Sequence, residues 1–291
     1  MTSSPRIGVA LGGGSARGYA HIGALASLER HGFVPDTIVG TSFGAVVGAL
    51  YATDRSPEAL HRQAAALRRR DVLPRVLDVG LHRGALFAGE RLEAYFDALL
   101  EGRTFADLGR DLRVVATDAA TGERVVLTSG PLAPALRASA SLPGLFAPVE
   151  IDGRRLLDGG VGSPTPLDTL DPDAFDLRIA IGVGTDADAS RTIRGVRRAL
   201  AHPWGRRVHA AMGRAGPGHV GDLVRALAWT ADGYLRDAPD DALHVEARPP
   251  IHWLRFDRAV DAAAAGERAL EAAVPRLVRA RAAWREAGGG V

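Results

Sequence analysis

No cysteine, lysine or asparagine occurs anywhere in the 291 residues. Without cysteine there are no disulfides, no thiolate metal sites and no thiol nucleophile. Without lysine there is no P-loop lysine, no Schiff base, no pyridoxal-phosphate anchor and no Ser-Lys pair. Apart from histidine, all 36 basic side chains are therefore arginine, against 34 acidic ones, so the formal net charge is only +2. That balance, with no aromatics interleaved on a basic stripe, gives no footprint for nucleic acid. Nor is there a run near the roughly 18 apolar residues of a membrane-spanning helix. Arg6 leads at once into a strand and a glycine run, not a charged segment followed by a greasy one. A cleaved signal is not expected, and a cytoplasmic location is.

What is present alternates between strand-like and helix-like runs. Arg6–Leu11, Thr37–Val39, Arg113–Asp118, Asp176–Val183 and Leu243–Glu246 read as strands. Ser15 is the expected cap of a helix closed by His31-Gly32, and Gly44–Ala52, Ser56 onward and Glu90–Leu100 read as further helices. "AATGE" and Asp152-Gly153 each sit between two strand-like runs, as hairpin turns do. Asp257–Glu286 is a long amphipathic helix that Pro275 is expected to kink or split. Residues 190 to 237 read as mainly helical and arginine-rich, and the weakest seam falls between Asp186 and Arg191. The pattern predicts an α/β fold with a mainly parallel sheet.

"IVGTSFGAVVGALYA", residues 38 to 52, is the most telling stretch. Gly40-Thr41-Ser42-Phe43-Gly44, between strand and helix, is the Gly-x-Ser-x-Gly elbow in which a strained turn exposes a serine. The helix that follows aims its positive end at that hydroxyl, which favours developing negative charge. A plain helix cap is the rival role for Ser42. The stretch "LGGGSARG", residues 11 to 18, is a second glycine corner of the same kind. Its spacing is not Gly-x-Gly-x-x-Gly, so an oxyanion hole suits it better than a nucleotide loop. Arg17 within it either fixes the loop or attracts an anionic head group.

The proton acceptor is left open by spacing alone. His202, His209, His219, His244 and His252 all lie downstream of Ser42, but none stands at a glycine-flanked loop after a strand. Asp158 in "RRLLDGG" ends a strand and is followed by Gly159 and Gly160. A parallel strand there would put it on the sheet edge shared with Ser42. Asp118, in "VVATD", is the rival carboxylate, and either could merely close an Asx turn.

"GGGSARG", "GTSFG", "ASASLPGLFAPV" at 138 to 149 and "DGG" at 158 to 160 resemble, in order and spacing, the patatin-like phospholipases. The chain is similar to a short bacterial member of that lipid acyl hydrolase family from about Arg6 to Asp168, and more loosely beyond. The resemblance implies a three-layer α/β/α fold with residues 6–168 as catalytic core, 169–287 completing the same domain, and 288–291 as a tail. It implies a Ser-Asp pair without histidine: Ser42 as nucleophile and Asp158 as base. It also implies an oxyanion hole from Gly12, Gly13 and Gly14, support from Arg17, Gly40, Gly44, Gly159 and Gly160, and neither metal nor cofactor. Ser163 stands where relatives often carry asparagine, which bears on a local turn contact. The expected substrate is an acyl lipid or ester, phospholipid or neutral, with no partner otherwise specified. A conventional Ser-His-Asp esterase and a non-catalytic regulatory protein keeping the fold are the two other classes open. Residues 71 to 89 have no clean period yet are rich in Val and Leu, so they either pack as an ordinary core segment or, the favoured expectation, cover an acyl groove and touch an anionic membrane surface weakly.

Overall fold

The computed structural model describes residues 4–66, 78–82, 85–184 and 242–289. The arginine-rich stretch, the seam, His202, His209, His219 and the first part of the expected cover (71–77) lie outside the described residues.

Five strands run parallel: β1 (Ile7–Leu11), β2 (Thr37–Thr41), β5 (Asp111–Asp118), β9 (Leu177–Val183) and β10 (Leu243–Ala247). Their order in the sheet is β10-β9-β1-β2-β5. Three antiparallel strands complete it: β6 (Arg124–Leu127) pairs with β5, and β7 (Val149–Ile151) with β8 (Arg154–Asp158), which in turn pairs with β5. Strands buried on both faces read as continuous apolar runs, which is why Ile7–Leu11 and Leu177–Val183 were legible as strands. The mixed α/β fold with a mainly parallel central sheet is the one the sequence predicts.

The helices are α1 (Ala20–Arg30), α2 (Phe43–Ala52), α3 (Pro57–Ala66), α4 (Glu90–Leu100), α5 (Leu132–Ser139) and α6 (Ala259–Glu286). One sheet face carries the main core, in which Val9, Leu11, Ile38 and Ile179 pack with Leu25, Val47 and Leu270. The other face holds a smaller cluster around Ala10, Val39, Val115 and Leu170. Among the described residues, no helix is long and apolar enough to cross a membrane.

Three local expectations are corrected. Ser15 does not cap α1: it opens a 3-10 turn, Ser15–Tyr19, with no side-chain capping bond, and α1 follows directly. Helix α6 is not split at Pro275: it runs unbroken from Ala259 to Glu286. The proline is on the exposed side of the helix, and Glu271, whose carbonyl it leaves without an intrahelical donor, is itself only half-buried. Within the expected cover, β3 (Val79–His82) and β4 (Ala85–Phe87) form an antiparallel pair. Phe87 is built into the body of the protein: its N–H donates to Leu145 O at 2.9 Å, its carbonyl accepts from Ala147 at 3.0 Å, and its ring meets Phe146 at 5.6 Å.

Candidate active site

Strand β5 is longer than β2, and the difference builds the site. Strand β2 pairs with Asp111–Val115 and stops with Thr41 opposite Val115. Strand β8 pairs with Ala116–Asp118, its last residue Asp158 opposite Ala116. Strand β6 pairs with Val114–Thr117, overlapping both, so it takes the other edge of β5. Strands β2 and β8 therefore share one edge and meet head to head. The expected parallel approach of Asp158 is corrected: β8 is antiparallel, and its end arrives at Ser42 from the opposite direction.

At that junction Ser42 Oγ donates to Asp158 Oδ2 at 2.8 Å. Ser42 holds φ 52° and ψ −125° at the N-terminus of α2, and its hydroxyl makes no helix-capping bond. The cap role is thus set aside, and a backbone of this kind costs on the order of 1–3 kcal/mol. The flanking glycines permit it. A Cβ on Gly40 would lie 2.4 Å from Ala45 Cα, and one on Gly44 would lie 2.4 Å from Leu11 O. Gly159 is as confined, with Val115 O 2.2 Å from where its Cβ would be, while Gly160 N–H holds Asp158 Oδ1 at 2.7 Å. Burial pushes the Asp158 carboxyl up to about 6, against the pull of the Gly160 N–H and the Ser42 hydroxyl.

The rival Asp118 does what its turn demands. Its Oδ1 accepts from Ala120 N–H at 2.8 Å and Thr121 N–H at 3.3 Å, closing the β5–β6 hairpin as an Asx turn. Of the downstream histidines in the described residues, His244 lies in β10 and His252 is exposed, its Nδ1 accepting from Leu254 N–H. Neither hydrogen-bonds to Ser42.

The glycine corner stands beside the nucleophile: a Cβ on Gly13 would be 3.3 Å from Ser42 Cβ. Its donors are not all free, which corrects the expected oxyanion hole. Gly12 N–H donates to Ile181 O and Gly13 N–H to Pro164 O, both at 2.9 Å. A donor already given to a carbonyl is less available to an oxyanion than a free one. Gly14 N–H has no hydrogen bond among the described residues and sits half-buried. Arg17 is buried and donates to Gly184 O at 2.7 Å, so it fixes the loop against the end of β9.

Several contributors went unread in the sequence. Ser139 Oγ accepts the Ser42 N–H at 2.8 Å and donates to Val115 O at 2.6 Å. Ser141 O accepts the Asp158 N–H at 3.0 Å. The two serines of "ASAS" thus hold the backbones of Ser42 and Asp158. Thr41 and Thr117 hydroxyls donate to Ser163 O and Asp158 O, so the turn after Asp158 is secured through the backbone of Ser163. Arg137, 2 % exposed, donates to Ala88 O, Gly89 O, Ala147 O and Ser141 Oγ. Burial brings its guanidinium down to about 10, against the opposing pull of the Glu93 and Asp78 carboxylates. The available signal was polar residues at alternate positions in an otherwise apolar stretch. Tyr19, Phe43 and Phe256 form a ring cluster beside the elbow, with Tyr19 and Phe43 centroids 4.7 Å apart and Phe43 and Phe256 5.9 Å apart. Among the described residues, no group of three His, Cys, Asp or Glu is placed to hold a metal ion.

Uncharacterised NTE family proteins of Mycobacterium bovis and Mycobacterium tuberculosis are 38% identical to this chain over 191 residues, 65% of this chain and 52% of theirs. The chain thus spans about half the length of those relatives. Patatin-like phospholipase domain-containing protein 6 of Homo sapiens is 33% identical over 193 residues, 65% of this chain and 14% of that protein. VipD from Legionella pneumophila aligns over 93% of this chain and 68% of its own, with a TM-score of 0.46 and 15% identity. The family model for patatin-like phospholipases matches residues 9–171, a span that holds the glycine corner, Ser42 and Asp158. More than half of the sequence is covered by that match, and the chain belongs to the patatin-like phospholipase family.

Proposed function

We propose that the chain is a serine lipid acyl hydrolase that cleaves carboxylic esters of acyl lipids through an acyl-enzyme, with Ser42 as nucleophile and Asp158 as its base. Membership of the family implies lipid acyl hydrolysis. The observation that carries the residue assignment is the 2.8 Å bond from Ser42 Oγ to Asp158 Oδ2 at a strained helix N-terminus. Asp158 takes the hydroxyl proton as Oγ forms a bond to the ester carbonyl carbon. The tetrahedral intermediate collapses, the proton passes to the leaving alcohol, and the acyl group remains on Ser42. Water, deprotonated by the same Asp158, then releases the fatty acid and restores the serine. An ordinary aspartate, near 3.9, is a weak base at neutral pH. Burial makes Asp158 a stronger one while leaving it mostly ionised at pH 7 and above.

Gly14 N–H is the glycine-corner donor we assign to the developing oxyanion, in place of the expected set of three. The half-buried rings of Phe43 and Phe256 give an acyl chain an apolar wall beside Ser42. The test is a fluorophosphonate probe with a panel of p-nitrophenyl esters. A single label mapped by mass spectrometry to Ser42, lost together with turnover, is expected. A label on another serine would overturn the assignment.

Lipid contact belongs to the same reading. Leu86 and Leu142 are 56% and 43% exposed, on segments joined by the Leu86 N–H to Gly144 O bond. Leu142 follows Ser141, whose carbonyl holds Asp158, so a weak peripheral contact here would bring the site to the bilayer surface. The double change Leu86→Asp and Leu142→Asp is expected to lower hydrolysis of phospholipid vesicles about tenfold and leave p-nitrophenyl acetate turnover within twofold. Equal losses on both would assign the two leucines to folding.

A further inference from the structure

We propose that His21 is a positioning residue: it fixes the orientation of the Gly12–Gly13 peptide, and through it the aim of the Gly14 N–H at the oxyanion. The inference rests on the acyl-hydrolase reading above. It concerns a histidine that takes no part in proton transfer.

The Gly12–Gly13 peptide is held at both of its polar ends. Its carbonyl, Gly12 O, lies 2.7 Å from His21 Nε2. Its N–H, on Gly13, donates to Pro164 O at 2.9 Å. A carbonyl only accepts, so Nε2 carries the proton and donates. His21 is completely buried, and its Nδ1 has no hydrogen-bond partner among the described residues. A second ring proton would have no acceptor there and would place a charge in the core. Burial holds the imidazolium form down, to about 4, so the ring is neutral at working pH. With one nitrogen donating to backbone and the other enclosed, the ring has no route to Ser42's proton. What it offers is a fixed dipole on a rigid element, in the first turn of α1.

A glycine run needs such a device. Three successive residues without Cβ leave both signs of φ open, so the peptides between them can flip at small steric cost. A flip at Gly12–Gly13 would break the His21 bond and the Pro164 bond together. Without those two bonds the dihedrals of Gly13 are free to drift, and with them the direction of the next peptide, whose N–H belongs to Gly14. In the flipped loop Gly12 O would face Pro164 O, and the Gly14 N–H would no longer be held toward the developing negative charge. Fixing that geometry before the reaction is what makes an oxyanion donor effective, since removing one such donor costs about 10²–10³-fold in kcat. An imperfectly aimed donor should cost a part of that.

The test compares His21→Gln with His21→Met. The side chains are of similar length, but only glutamine keeps an N–H that reaches toward Gly12 O. Both are assayed on p-nitrophenyl butyrate at temperatures well below their own Tm. His21→Met is expected to lower kcat by about 10- to 100-fold with KM within twofold. His21→Gln should recover to within about fivefold of wild type. A trifluoromethyl ketone analogue of the substrate should bind His21→Met more weakly in proportion to the lost kcat/KM. If His21→Met does not fold, His21→Asn, whose amide falls short of Gly12 O, serves as the non-donating variant. Wild-type kcat in the folded non-donating variant would overturn the proposal, as would a loss that glutamine does not recover. Activity that still depends on Ser42 in either case would leave the acyl-hydrolase reading standing and remove this inference alone.

Discussion

Ser42→Ala should be folded and inactive, with p-nitrophenyl butyrate turnover reduced by a factor of about 10⁴ or more, as for serine hydrolases that lose their nucleophile. The substitution deletes one atom. It leaves the Ser42 N–H to Ser139 Oγ bond in place, and the elbow glycines still accommodate the turn. It removes the donor to Asp158 Oδ2 and leaves that carboxylate with the Gly160 N–H on its other oxygen. Circular dichroism should therefore match the wild type while the fluorophosphonate label vanishes. A folded Ser42→Ala protein with wild-type turnover would end the enzyme assignment. The companion expectation separates the pair from a conventional triad. No single substitution among His202, His209, His219, His244 and His252 should cost more than about tenfold, against the roughly 10²–10⁴-fold typical of a lost general base. A folded, inactive histidine variant from that set would move the base from Asp158 to that ring.

Ser42 and Asp158 were legible in the sequence because each stands at the end of an apolar strand with a glycine within the next two residues, so the chemistry and the chain geometry are written in neighbouring residues. How the two meet was not. The head-to-head arrival of β2 and β8 depends on β5 outrunning β2, and β5 is more than sixty residues from one and about forty from the other. Local pattern carries no record of that register, which is why a parallel approach was expected. The glycine corner failed for the same reason. That three successive glycines offer uncovered N–H groups is a local reading, but Ile181 and Pro164, which occupy two of them, lie far along the chain and reach the corner only through the fold. Asp118 is the contrasting case. Its Asx turn is closed by residues two and three positions on, and a local rival role proved sufficient to account for it. His21 was passed over because it lies among the apolar positions of a helix, where its partner, the Gly12 carbonyl, has no sequence signature at all.

Asp158→Asn should be nearly as inactive as Ser42→Ala and yet more stable than the wild type at pH 7, and both effects have one cause. Burial raises the Asp158 carboxyl to about 6, more than the Gly160 N–H and the Ser42 hydroxyl can offset. Catalysis needs the ionised form, so kcat/KM of the wild type should rise with pH, pass half its maximum near pH 6 and level off about one unit above it. Folding prefers the neutral form. Between the ordinary aspartate value and about pH 6 the native protein keeps a proton that the unfolded chain has already released. Stability therefore falls as pH rises through that window, and the full penalty is present above it. Two pKa units correspond to about 3 kcal/mol at pH 7. Asparagine keeps the shape, accepts from Gly160 and carries no charge to desolvate. Its Tm should exceed that of the wild type by about 3–8 °C at pH 7 to 8. The gap should close toward pH 4, where Asp158 is itself protonated. Paired thermal melts from pH 4 to 8 measure this directly. A Tm difference that does not change with pH would mean that the Asp158 charge carries no desolvation cost, and would remove the physical basis for an aspartate acting as the base at neutral pH.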